Sequence, residues 1–172
     1  SKWYAVSGPA TGSKAADWVS AICSGGKSTL QWLATELGFC VNGQAGVSVS
    51  SCKTTYKAPA SYSAVQAVYN ANLAGIMCGT SSWGLNTKYA AATSAIASVV
   101  SGSLPSGQSW DSPDGVVAFP SCGAGATSGY SSSSSGDRFQ GSLNHLDTTG
   151  RNGDGWYGGD ARKPLKWYSA HA

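Results

Sequence analysis

At 172 residues the chain has the length of one domain able to bury its own core, and its 41% apolar residues, seven Trp and eight Tyr bring too much buriable surface for a disordered segment. Charged residues make up only 11%, against an ordinary share of about 25%, so solubility rests on hydroxyls and amides. The basic residues behind the formal charge of +3 are scattered from Lys2 to Lys166 with one cluster at Arg162, Lys163 and Lys166, which does not indicate a phosphate-tracking nucleic-acid binder, and no apolar run reaches the roughly 18 residues of a membrane span.

The chain opens on Ser1-Lys2-Trp3-Tyr4 with no charged and apolar leader, so a signal or pro-segment is expected to have been removed or never to have existed. Aromatic and branched residues over 2–6, bounded by Gly8-Pro9, predict a strand. Lys166-Trp167-Tyr168-Ser169 repeats this opening almost letter for letter, and it predicts a C-terminal strand paired with the first. Ala15, Trp18, Val19 and Ile22, then Leu30, Leu33, Ala34 and Leu37, predict helix, glycine break and helix up to a C-cap at Gly38. Helical spacing recurs over 63–77, through Val65, Val68, Tyr69, Leu73 and Ile76, and over 88–100, through Ala92, Ile96 and Val99. Residues 46–52 alternate with period two, 115–122 are comparable, and each stretch ends in Ser-Cys, a weak sign of duplication. Ser131 to Ser135 is an unbroken serine run expected to form a mobile loop. Residues 139–143 predict a strand, and 147–160, dense in turn formers and bearing three acids, predict loops suited to carry a site.

Five cysteines, at 23, 40, 52, 78 and 122, form no CxxC pair, no zinc spacing and no haem-attachment motif. Two disulfides and one odd thiol in a secreted protein fit them, with connectivity left open and the odd cysteine available to link two chains as a dimer. Five reduced, buried cysteines are the competing interpretation.

Gly26-Lys27-Ser28-Thr29 ends like a phosphate-binding loop, but the first glycine of that motif is replaced by Ala21 and the preceding residues read as helix, so a glycine break accounts for it. His145, in Asn144-His145-Leu146-Asp147, pairs an imidazole with a nearby carboxylate, as a general base requires, although no GxSxG elbow accompanies it. For glycoside cleavage, which needs two carboxyl groups, Asp111, Asp114, Asp147, Asp154 and Asp160 are the available acids, several of them in ordinary turn sequences. The catalytic candidates are thus His145, Asp147, Asp154 and Asp160. Trp156, Tyr157 and Arg151 are the binding candidates, since aromatic and Arg residues dominate contact hot spots. Asn152-Gly153-Asp154-Gly155 misses the order of an EF-hand calcium loop, and nothing points to a metal or cofactor.

Cys23-Ser24-Gly25 with Gln31-Trp32-Leu33 resembles the catalytic Cys-Ser-Gly helix of cell-wall peptidases of the NlpC/P60 type; that resemblance implies a thiolate nucleophile at Cys23, against which stands a disulfide from Cys23 to Cys40 or Cys52. The wider texture, Ala21-Ile22-Cys23-Ser24-Gly25-Gly26 and Leu37-Gly38-Phe39-Cys40 followed by short strands ending in cysteine, resembles small secreted fungal proteins of the killer-toxin and effector kind, the salt-mediated yeast killer toxin type. It implies an α/β-sandwich acting on the envelope of competing or host cells, with no residue roles to carry over. The pattern of elements independently predicts one α+β domain, a mainly antiparallel sheet with two or three helices on one face. Two functions follow: a secreted, disulfide-stabilised toxin or effector-like protein that binds a target cell envelope component such as carbohydrate, or a secreted hydrolase acting on cell-wall carbohydrate or peptide.

Overall fold

A computed structural model of the chain describes residues 2–10, 12, 13, 15, 23, 31, 35, 59–102, 114–123 and 128–172. Three strands, β1 (Trp3–Val6), β2 (Leu73–Gly79) and β3 (Arg138–Gly141), alternate with helices α1 (Pro59–Asn72), α2 (Ala90–Gly102), the short α3 (Phe119–Cys122) and α4 (Pro164–His171). The strands form one sheet in the order β1-β2-β3, and both pairings are parallel.

This corrects the expected mainly antiparallel sandwich. The long segments between consecutive strands carry helices, and helical crossovers of this kind return each strand in the same direction. Leu73-Ala-Gly-Ile-Met-Cys-Gly79, which helical spacing assigned to the end of one helix, is instead the central strand. It is apolar on both faces because it is covered on both. Ile76 and Cys78 enter one core cluster with Val117 and Cys122, while Met77, between them, enters another with Leu85, Phe139, Leu143 and Trp167. The pleat of a strand puts neighbours on opposite faces.

The C-terminal repeat is a helix, not a strand. Pro164 sits in its first turn, where a missing N–H costs nothing, and the Asp154 Oδ1 accepts from the Leu165 backbone N–H at 2.7 Å, satisfying one of the open donors there. The two near-identical segments still meet, with the Tyr4 ring edge-on to Trp167 at 6.1 Å and to His171 at 5.8 Å. Trp167 is fully buried and its Nε1 donates to the Gly136 carbonyl at 2.9 Å.

Of the other predicted elements, helix 63–77 is observed as Pro59–Asn72, with Val68 facing solvent, and helix 88–100 as Ala90–Gly102. The strand over 139–143 is observed as Arg138–Gly141. Residues 115–122 form a turn and a short helix. The strand at 46–52, and most of the helix-break-helix at 15–38, lie outside the described residues. The serine run is tied down: Ser131 N–H donates to the Arg138 carbonyl at 2.9 Å, Gln140 N–H donates to the Ser131 carbonyl at 2.8 Å, and Ser134 is buried.

Cys78 of β2 and Cys122 of α3 stand at disulfide distance, their Cα atoms 5.9 Å apart, and Cys23 is disulfide-bonded as well. No helix among the described residues is long and apolar enough to cross a membrane.

Candidate functional site

Because all three strands run the same way, the residues that follow them share one edge of the sheet: Ser7 after β1, Thr80 after β2 and Ser142 after β3. Loops that leave this carboxyl edge are where parallel sheets assemble sites. Here Thr80 N–H donates to the Gly141 carbonyl at 2.9 Å and Ser81 N–H to the Leu143 carbonyl at 3.3 Å, so the loops after β2 and β3 run together. The segment from Asp114 joins them.

Asp114 is 1% exposed and is the hub. Its Oδ1 accepts from the backbone N–H groups of Val116 at 2.9 Å and Val117 at 2.7 Å, closing a tight turn. Gly115 at φ +102° makes that turn possible, and a Cβ there would lie 2.7 Å from Thr93 Cβ on α2. The other carboxylate oxygen, Oδ2, accepts from His145 Nδ1 at 2.8 Å, while the Asp114 carbonyl accepts from the His145 backbone N–H at 2.8 Å. A carboxylate accepts and does not donate, so in the neutral ring Nδ1 carries the proton and Nε2 presents a lone pair. Nε2 has no hydrogen-bond partner among the described residues, and the His145 side chain is 27% exposed. Burial pushes the imidazole pKa down, the charge and hydrogen bond of Asp114 push it up, and the net shift is upward.

The ring is aimed by a reciprocal turn. Asn144 Oδ1 accepts from Leu146 N–H at 3.0 Å and Asp147 N–H at 2.9 Å, while Asp147 Oδ2 accepts from Asn144 N–H at 3.2 Å and from Leu85 N–H at 2.7 Å. This is the logic of a capping box, one polar side chain at each end satisfying the other's backbone. Gly84, at φ +62°, lets its loop lie against Asp147 where a Cβ would collide with the carboxylate.

The sequence candidates therefore separate. Asp147, two residues from His145, is fully buried and occupied by backbone N–H groups and by Asn152 Nδ2 at 2.7 Å; the carboxylate that holds the imidazole is Asp114. Asp154 caps α4. Asp160 pairs with Lys166 Nζ at 2.7 Å and accepts from Ser134 N–H at 2.6 Å and Ser134 Oγ at 2.9 Å, and the Lys166 hydrogen bond followed by those of Ser134 holds its pKa well below the ordinary carboxylate range. The three acids do not converge on His145. Trp156, 88% exposed, and Tyr157, 42% exposed, form an edge-to-face pair with ring centroids 4.8 Å apart. Arg162, not Arg151, lies on that pair, 4.4 Å over the Tyr157 ring with Nη2 donating to its hydroxyl at 3.2 Å; Arg151 stands over Tyr89. Asp111 lies outside the described residues. Among the described residues no group of three or more metal-ligating side chains comes together.

In the sequence Asp114 is one of five carboxylates available for sugar cleavage, and Pro113-Asp114-Gly115 reads as a turn; a partner 31 residues from His145 leaves no trace in local spacing. With the site's geometry in hand, the comparisons add no relative: no protein-family model matches the chain, and neither does any curated protein or solved structure.

Proposed function

We propose that the chain is an extracellular hydrolase in which His145 is the general base and Asp114 the residue that positions it. One observation carries this reading: a buried carboxylate fixes Nδ1–H of a partly exposed imidazole, leaving Nε2 without a partner among the described residues at the carboxyl edge of a parallel sheet. An imidazole so held has one tautomer and one orientation, and as it takes a proton the adjacent carboxylate stabilises the imidazolium. A purely structural His–Asp pair needs neither the exposed ring nor the idle nitrogen. Disulfide cross-linking supports an oxidising, extracellular setting. The test is a panel of ester, peptide and polysaccharide substrates with wild type and His145→Gln. A loss of at least about 10²-fold on a substrate that wild type cleaves is expected for a general base. Equal rates would refute it.

A second reading, a toxin or effector-like protein that docks on a target cell envelope, is favoured by a separate observation, the protruding Trp156–Tyr157 pair backed by Arg162. Exposed aromatic faces of this kind suit sugar rings and other flat or apolar surfaces. Binding of wild type and Trp156→Ala to whole yeast and bacterial cells and to isolated wall polysaccharide tests it; undiminished binding by the variant removes the loop from the contact.

A further inference from the structure

Ser7 is the residue that the base most conspicuously lacks. It directly follows β1, its backbone sits at φ +43°, and among the described residues only it and Asn86 have positive φ without being glycine. A serine gains nothing intrinsically from that conformation; such strain persists where the surrounding structure imposes it, and it concentrates at functional positions. The surroundings do impose it. Ser7 N–H donates to the Met77 carbonyl at 2.8 Å, continuing the β1–β2 ladder, and its Oγ lies 3.4 Å from the Gly79 N–H, which donates to it.

Gly79 is also the link to Asp114. A Cβ built on Gly79 would stand 2.8 Å from Asp114 Cβ and 2.5 Å from the Leu143 carbonyl, so the residue whose N–H holds Ser7 Oγ lies directly against the residue that holds His145. The loop beyond Ser7 docks on the same segment: Ser13 Oγ donates to the Val116 carbonyl, and Ser121 Oγ donates to the Gly12 carbonyl at 2.6 Å. Three loops thus converge, and along the chain they bring a hydroxyl, then a carboxylate, then an imidazole to one edge of the sheet.

We infer that Ser7 is the nucleophile of an acyl-transfer site whose substrates are carboxylic esters or amides. This rests on the reading of His145 as base. The alternative chemistry, glycoside cleavage, needs two carboxyl groups with free oxygens. Among the described candidates, Asp147 and Asp160 have both carboxylate oxygens in scaffold contacts and Asp154 has one of its two.

In the reaction, Ser7 Oγ forms a bond to the carbonyl carbon while its proton passes to His145 Nε2, and the carbonyl π electrons move to oxygen. The tetrahedral adduct collapses, the bond to the leaving alcohol or amine breaks, and that group takes the proton from His145. Water then attacks the acyl-serine, giving its proton to His145. Expulsion of Ser7 Oγ, reprotonated from His145, releases the acid, so the sum is substrate plus water to acid plus alcohol or amine. In the resting chain Ser7 Oγ accepts from Gly79 N–H and the residue is 2% exposed, so the step requires Ser7 Oγ to leave that donor for Nε2 when substrate enters; catalytic hydrogen bonds commonly tighten only once substrate is bound.

The experiment treats the intact, oxidised protein with a small alkyl fluorophosphonate and maps the adduct by peptide mass spectrometry, alongside p-nitrophenyl acetate hydrolysis. Stoichiometric adduct on Ser7 is expected, together with loss of both adduct and turnover in Ser7→Gly. That variant keeps the fold, because glycine adopts φ +43° without strain; Ser7→Ala serves as the second. Adduct absent from Ser7, or turnover surviving in a folded Ser7→Gly, overturns the inference. If turnover survives Ser7→Gly but falls in His145→Gln, the nucleophile is wrong and the base stands. If His145→Gln is as active as wild type, the base fails and Ser7 with it.

Discussion

Asp114 and His145, 31 residues apart in the chain, are joined twice, carboxylate to imidazole Nδ1 at 2.8 Å and carbonyl to backbone N–H at 2.8 Å. The second bond fixes where the ring begins and the first fixes which way it turns, so the geometry belongs to the pair and survives small motions of either loop.

The pair makes stability and catalysis depend on pH in opposite directions. The folded-state pKa of His145 is raised above its ordinary 6.5, so its contribution to stability is complete below that value and is lost as the pH rises through the higher folded one. A general base works only when neutral, so hydrolysis should climb over the same interval. Melting temperatures across pH should fall there for wild type and stay flat for His145→Gln. Asp114→Asn should cost on the order of 10⁴ in rate and move the lower limb of the pH–rate profile to more acidic pH, a shift that loss of packing alone does not produce.

Reduction of the Cys78–Cys122 pair should be felt at the site. The bridge closes a segment with a sequence separation of 44, for which loop-closure entropy gives about 4 kcal/mol. It also ties α3, just beyond the Asp114 turn, to the central strand. Urea unfolding of Cys78→Ser/Cys122→Ser should show that loss, and His145 should titrate closer to its ordinary value in the double variant, as nuclear magnetic resonance of its ring protons can follow.

Asp154 and Asp160 should behave as scaffold. Removing the α4 cap with Asp154→Ala should cost about 1 kcal/mol and leave hydrolysis unchanged. For Asp160 the depressed folded pKa means that its stabilisation is present above the ordinary carboxylate value of 3.8 and is lost as the pH falls below it. Asp160→Asn should therefore be less stable than wild type at neutral pH, and the two melting curves should draw together in acid.

Gly79→Ala tests the crowding at the strand edge. The added methyl meets the Leu143 carbonyl and Asp114 Cβ, so a destabilisation of about 1–3 kcal/mol is expected from overpacking. The displaced Asp114 should lower the rate further than the stability loss explains, measured well below the melting transition.

Much of the local structure could be read from the residues because local structure depends on neighbours. Strand β1, helix α2 and strand β3 follow from aromatic content, helical spacing and alternation over a few consecutive positions. Leu73–Gly79 shows where that stops: an apolar run without polar punctuation fits a helical spacing as well as a strand, and only its burial between two core clusters marks it as a strand. Lys166–Ser169 shows the reverse, a strand-like composition overridden by Pro164 and a cap from Asp154. His145 stood out as chemistry in the sequence, whereas its partner did not, since Pro-Asp-Gly carries the same letters whether the carboxylate faces water or an imidazole.

By itself the sequence determined a weakly charged, aromatic-rich chain with cysteines suited to cross-linking, and the approximate places of β1, α1, α2 and β3. The tertiary structure alone decided that the strands run parallel and that Ser7, Asp114 and His145 come to one edge. Composition and periodicity act over a few residues, whereas strand direction and the meeting of distant side chains are set by crossovers, and those are fixed only when the whole core packs.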